Sequence, residues 1–270
     1  MTLIKNHEID EICEMTSEKL GLDTLERYTG SRTKNFQPYV LITNFPAYVD
    51  AFSQISGKPV TKGTTMTACH CEDLKISIIN FGIGSPMGAL IIELLSYTKP
   101  KAVLFLGMCG GLRKEYQVGD YLNPVAAIRE EGTSFAYMPK RCPSLSSFVI
   151  QRYVCEEIER RKLKYHSGVI HTTNVRFWEL KEKFKAMLAE ERSQAIDMEC
   201  ATLFTVGFAK YVPVGALMLI SDLPLKRGGI KTKSSTKKVF EKYTSLQIEM
   251  GVEILRKMQH DAEKGLGYQF

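Results

Sequence analysis

Two short acidic segments of this chain pair a group suited to proton transfer with a group suited to holding hydroxyls. The first is Asp197-Met198-Glu199, at the end of the apolar residues Ala195-Ile196. The second is Ser221-Asp222, which follows the apolar run Val214–Ile220 and precedes Pro224. A carboxyl group in a poorly solvated pocket keeps its proton toward neutral pH and can donate it to a leaving group. An ionised carboxylate can instead accept hydrogen bonds from sugar hydroxyls. Asp222 suits the first task and Glu199 the second. Glu199 also has a plainer reading, as an acidic residue complementing a helix dipole. Asp197 reads as a support for the turn.

Three further segments could contact a small ligand. Gly82-Ile83-Gly84-Ser85-Pro86-Met87-Gly88 joins a strand-like run to a helical pattern. Ser85 suits an N-cap and Pro86 the first helical position. Its glycines let the backbone approach a ligand, and a helix start of this kind favours an anion or a polarised water. The same sequence also serves as a plain strand-to-helix connector. Met108-Cys109-Gly110-Gly111 ends the apolar run Ala102–Gly107, where Gly107 and Gly110 give clearance for a substrate over the strand end. Cys109 has no His partner nearby in sequence, which argues against a nucleophile. The third segment, His171-Thr172-Thr173-Asn174-Val175-Arg176-Phe177-Trp178, holds the single Trp of the chain. His171, Phe177 and Trp178 offer flat faces that fit a base platform and a core equally well. Arg176 offers a planar cation beside a polar Thr173 turn.

Around these residues, strands and helices alternate. Tyr39–Asn44, Met66–Cys71, Lys75–Phe81, Ala102–Gly107, Tyr121–Ile128, Ser167–His171 and Val214–Ile220 read as strands, with Glu72-Asp73 turning a hairpin. Helical patterns cover 47–55, 87–97, 144–162, 179–191, 200–210 and 236–260. The last packs through Phe240, Tyr243, Leu246, Ile248, Val252, Ile254 and Leu255. This alternation predicts one α/β layered domain over 36–270, preceded by a helical leader over 1–35. In open α/β sheets ligands bind at the carboxyl ends of the strands, where both acidic segments fall.

Composition narrows the class. With 44% hydrophobic and 24% charged residues the chain is globular rather than disordered. The first fourteen residues are polar and charged, which argues against a signal peptide or a membrane span. An odd count of 7 scattered Cys fits a reducing, cytoplasmic setting better than a disulfide framework. Cys69-His70-Cys71 lacks a second pair at ligand spacing, so no metal is expected. The net charge of +6 gathers in Lys226, Arg227, Lys231, Lys233, Lys237, Lys238 and Lys242. Sparse aromatic interleaving argues against nucleic acid and leaves a solvated face or attraction for a phosphorylated small molecule.

The ordered motifs resemble the purine nucleoside phosphorylase and nucleosidase superfamily from about Tyr39 to Leu255. Phe81-Gly82-Ile83-Gly84-Ser85-Pro86 is similar to its glycine loop beneath the attacking phosphate or water. Leu106–Gly111 is similar to its Gly-Ser-Cys-Gly strand end. Asp197-Met198-Glu199 and Ser221-Asp222 resemble its ribose and general-acid motifs. Gly107–Arg113, Val118–Tyr121, Thr172–Glu179, Ala195–Glu199 and Ser221–Leu225 resemble the AMP nucleosidases in particular. Because the first strand begins near Tyr39, the resemblance is to their short form. It implies a three-layer phosphorylase/hydrolase-like fold with a twisted, partly closed mixed sheet, and a hexamer built from dimers.

Two departures from the phosphorylases bear on the nucleophile. Phe105 stands where they carry an Arg, and Met108 where they carry a Ser or Thr. A phosphate nucleophile needs cations and donors, so the pair implies water. The resemblance thus implies hydrolysis of AMP to adenine and ribose 5-phosphate without a cofactor. Asp222 would protonate N7, and Glu199 would bind the 2′- and 3′-hydroxyls with Met198 on the sugar. Gly84, Ser85, Gly107, Cys109, Gly110, Thr173 and Ser221 would shape the pocket. Arg176 and Lys231, or else Arg113 or Arg129, would meet the 5′-phosphate. His171, Phe177 and Trp178 would face the base, and the loop Leu225–Lys233 would close over it. The alternatives are a phosphorylase, a methylthioadenosine-type nucleosidase and a non-catalytic nucleotide-binding protein.

Overall fold

An apolar run such as Ala102–Gly107 needs hydrogen-bonding partners on both sides. In the computed structural model, which describes residues 17–264, that run opens strand β5 (Ala102–Gly111). β5 pairs in parallel with β1 (Tyr39–Thr43) and with β10 (Val214–Asp222). Strands flanked in this way are covered on both faces, and all of β1 is buried. Beyond β1 the sheet continues through β4 (Ile76–Asn80), β3 (Thr67–Cys71) and β2 (Val60–Lys62). The antiparallel β3–β4 hairpin turns at the expected acidic pair.

The other side of β5 curls back on itself. β10 runs antiparallel to β6 (Tyr121–Glu130), which is parallel to β8 (Tyr165–Thr173). β8 pairs with β9 (Ala195–Asp197), and β9 returns to β5. The strands β5-β10-β6-β8-β9 thus form a closed ring, while β1 to β4 extend from it as an open sheet. This is a single α/β domain with a mixed, partly closed sheet.

Seven α-helices flank the sheet among the described residues: α1 (Ser17–Thr29), α2 (Pro46–Ser56), α3 (Ser85–Ser96), α4 (Phe148–Arg160), α5 (Glu182–Glu190), α6 (Cys200–Ala209) and α7 (Lys233–Glu263). Alternate side chains of β5 enter two apolar layers. Val103 and Phe105 meet Ile92, Leu203 and Phe204 of α3 and α6. Leu104 and Leu106 meet Phe52, Ile150 and Ile248 of α2, α4 and α7.

Some element boundaries differ from the sequence reading. The helix expected from Ser144 begins at Phe148, because β7 (Ser144–Leu145) pairs with β6. Ser144 Oγ there donates to the carbonyl of Ala201 at 2.9 Å. The helix expected over 179–191 is a 3₁₀ turn, Trp178–Leu180, followed by α5. α7 starts earlier than expected, at a capping box in which Thr232 and Ser235 exchange backbone-to-side-chain bonds of 2.9 and 3.2 Å. Of the leader, residues 1–16 lie outside the described residues. α1 packs on the domain, with Leu25 buried in the α3–α6 layer.

Gln247 of α7 ties that helix to the sheet. Its amide donates to the carbonyls of Gly107 at 3.0 Å and Leu217 at 2.8 Å, and its Oε1 accepts from Tyr48 Oη at 2.6 Å. All of this is buried. Gln247→Leu is expected to destabilise the fold by about 3 kcal/mol, since it strands polar groups away from water. Urea unfolding checks this, and an unchanged midpoint would contradict it.

Candidate active site

The register of β8 and β9 sets Thr172 opposite Asp197. Asp197 Oδ1 accepts from Thr172 Oγ1 at 2.6 Å, and Oδ2 accepts the N–H groups of Glu199 and Cys200 at 3.2 and 2.7 Å. Asp197 therefore satisfies the free amides at the start of α6, and Glu199 is not needed for that task. Glu199 turns instead toward the glycine loop. Its Oε1 accepts the Gly84 N–H at 2.9 Å and its Oε2 the Met198 N–H at 3.3 Å, and Asn44 also hydrogen-bonds it. Burial, then the charge of Asp197, push the Glu199 carboxyl up to about 7.

Gly84 itself occupies the N-cap position of α3, with φ of 92°. This is a left-handed conformation that glycine alone adopts freely. The expected cap, Ser85, lies one residue inside the helix. Its Oγ donates to the Met198 carbonyl at 2.8 Å, so the serine joins the glycine loop to the Asp197–Glu199 turn and does not cap.

Asp222 ends β10 just past a register slip against β5, a device that re-aims a side chain. Ser221 Oγ lies 2.8 Å from Asp222 Oδ1 and 3.2 Å from the Cys109 carbonyl. Lys231 Nζ is 3.9 Å from Asp222 Oδ1. Burial raises the Asp222 carboxyl above its ordinary range, opposed by Lys231, Ser221 and Arg176. Burial likewise lowers the Lys231 ammonium, and the Asp222 charge opposes that.

A cleft of about 280 Å³ opens at the carboxyl ends of β1, β5, β8, β9 and β10. Asp222, Glu199, Met198, Cys109, Gly110, Thr173, Arg176, Trp178 and Lys231 all line it. Ser221, Gly84 and Ser85 stand one step behind as hydrogen-bonding supports. Three expected residues sit elsewhere. His171 is fully buried beside the ring of Phe184, with Nδ1 2.8 Å from Glu191 Oε2. α5 therefore covers it, and it is a core residue. Phe177 is 70% exposed and outside the cleft. A side chain at Gly107 would meet the Phe105 ring at 2.6 Å, so this glycine makes room for core packing and not for substrate. Burial raises the Cys109 thiol well above its ordinary value, with Asp197 and Asp222 adding to the effect. It is not a thiolate nucleophile.

Part of the basic cluster is engaged away from the cleft. Lys226 donates to the Tyr116 carbonyl at 3.0 Å, and Lys237 pairs with Glu241 at 3.7 Å. Buried Arg129 spends its guanidinium on Ser134 and on the carbonyls of Met138, Pro139 and Cys142, so it cannot serve an incoming phosphate. The loop after Asp222 is compact. Backbone bonds link Leu223, Lys226 and Gly229, and any side chain at Gly229 would strike the Leu223 carbonyl. Among the described residues no His, Cys, Asp or Glu group forms a metal cluster, and no helix is long and apolar enough to cross a membrane.

The sequence reading missed Asn44, Phe45, Glu179, Thr236 and Phe240 as lining residues. Asn44 follows β1 directly, and its Oδ1 is buried with no partner among the described residues. A polar residue ending an apolar strand was the available signal. Phe240 had been expected only to pack, and it does so edge-on to Phe45, with ring centres 5.0 Å apart.

Comparison with known proteins gives the family and the fold. A family model described as the phosphorylase superfamily matches residues 38–256. The AMP nucleosidase of Escherichia coli (strain K12) is 29% identical over 90% of this chain. The alignment spans 60% of that relative's length. The crystal structure of AMP nucleosidase from Bacteroides thetaiotaomicron VPI-5482 is 38% identical, with a TM-score of 0.82 over 92% of this chain and 100% of its own. A uridine phosphorylase structure from Vibrio fischeri ES114 shares the fold at 21% identity, with a TM-score of 0.74 over 83% of this chain and 93% of its own.

Proposed function

Because this chain belongs to the phosphorylase superfamily and is related to its AMP nucleosidases, we propose that it hydrolyses AMP to adenine and ribose 5-phosphate. The observation that carries this is the pairing of Asp222 and Glu199 in one cleft, each with its carboxyl pKa raised by burial. The difficulty of the reaction is adenine as a leaving group, since negative charge develops on the ring as C1′–N9 breaks. Asp222 gives its proton to N7 and neutralises that charge. Glu199 accepts from the ribose 2′- and 3′-hydroxyls and places negative charge beside the cationic sugar. Water then bonds to C1′, and the proton it releases restores the acid over the cycle.

Water is favoured over phosphate as the nucleophile by what surrounds it. Met108 lines the cleft and offers no donor, and Phe105 is buried against Phe81 in the core. Of the two cations expected at the 5′-phosphate, Lys231 suits it better. It lies just before the start of α7, where Thr236 also lines the cleft. A dianion drawing Lys231 away from Asp222 would remove a charge that opposes protonation of the acid. Arg176 is instead tied to Glu179. A cofactor-free homohexamer in the cytoplasm is part of the same proposal. Incubating the protein with AMP in phosphate-free buffer is expected to release adenine and ribose 5-phosphate. Strict dependence on added phosphate, or turnover of nucleosides with AMP inert, would overturn the proposal.

A further inference from the structure

Besides Asp222, Glu199 and the turn-supporting Asp197, one further buried acid lines the cleft. Glu179 sits in the 3₁₀ turn after β8, is 8% exposed, and lines the cleft together with Asp222. Arg176 Nη1 donates to its Oε1 at 3.2 Å. A carboxylate accepts about four hydrogen bonds, so this contact uses a minor part of its capacity. Its charge is close enough to favour the protonated form of Asp222.

A purine presents N7 and its C6 substituent side by side on one edge. In adenine the substituent is an amino donor, and in 6-oxopurines it is an acceptor. A base whose N7 meets Asp222 therefore turns its C6 group toward the neighbouring part of the same wall. We propose that Glu179 accepts a hydrogen bond from the 6-amino group and makes the site selective for 6-aminopurine over 6-oxopurine nucleotides. The proposal rests on the reading of Asp222 as the acid at N7. Against a 6-oxopurine, carboxylate and carbonyl lone pairs face each other without a proton between them. Mismatch of that kind is a strong source of discrimination, because a buried polar group is left unpaired. Arg176 acts as a positioning residue by fixing the Glu179 carboxylate.

The test is kcat/KM for AMP and IMP with the wild-type protein, Glu179→Gln and Glu179→Ala. The wild type is expected to prefer AMP strongly. In Glu179→Gln the AMP-to-IMP ratio falls by about 10–100-fold, because the amide can donate to O6. In Glu179→Ala the ratio falls less. Each ratio is taken within one preparation, so partial misfolding cancels. If both substrates decline in parallel, Glu179 only anchors Arg176 and the proposal is overturned while the hydrolase reading stands. A wild type that cleaves neither nucleotide would overturn both.

Discussion

Asp222→Asn is expected to slow AMP turnover by about 10²–10⁴-fold, the usual contribution of a positioned general acid, with little change in KM. The substitution keeps shape and burial and removes only the transferable proton. A second measurement separates this loss from structural damage. A ribose 5-phosphate carrying a leaving group that needs no protonation should be hydrolysed by the variant at nearly the wild-type rate. The fold should not suffer. A buried carboxyl with a raised pKa adds stability only while both states hold the proton. That contribution is lost as pH rises from the ordinary Asp value of 3.8 through the folded value. At pH 8 the wild type therefore bears a cost that the neutral Asn does not, and the variant should melt no lower. Near-normal AMP turnover in the variant would remove Asp222 from the chemistry.

Glu199→Gln should cost about 10²–10³-fold in kcat/KM, comparable to the loss of a preorganised electrostatic partner. The wild-type pH profile carries a distinct mark of this residue. Glu199 must be ionised to accept from two hydroxyls, and its pKa stands at about 7. Activity should fall below pH 7 as Glu199 takes up a proton, and ionisation of Asp222 acts in the opposite sense, lowering activity as pH rises. The acid limb should vanish in Glu199→Gln. The variant should also lose most of the preference for ribose over 2′-deoxyribose nucleotides. A flat wild-type profile between pH 5 and 8, or equal wild-type rates on both sugars, would contradict the assignment. The position has a thermodynamic cost as well. Since the folded pKa is raised from 4.5, the stabilisation by Glu199 is lost as pH rises from 4.5 through about 7. The functional ionised form is thus the less stable one.

The apolar cores of the strands were the most legible part of this sequence, whereas β5, β8 and β10 run past the ends expected for them, to Gly111, Thr173 and Asp222. The apolar runs leading to Gly107, Asp197 and Asp222 allow little besides buried strands, and strand ends are where a cleft forms. What remained hidden depends on which segments become neighbours. His171 lies on β8 two residues before Thr173, which lines the cleft, yet Phe184 and Glu191 cover the histidine. That cover comes from a separate segment, so periodicity along β8 cannot reveal it. Ser85 has the local signature of a cap, but the nearby Met198 carbonyl claims its hydroxyl. Ser144 and Leu145 continue a helical pattern, yet β6 offers them a strand partner, and tertiary pairing outweighs propensity. Asn44 reaches Glu199 because β1 and β9 both pair with β5, and strand order is not written in either segment.

The chain reaches β5 and β6 well before β10, the strand that then inserts between them. Without β10 the ring is open between β5 and β6, and Asp222, which that strand carries, has no place beside Glu199. A chain that stops before β10 is therefore expected to show none of the proposed hydrolysis.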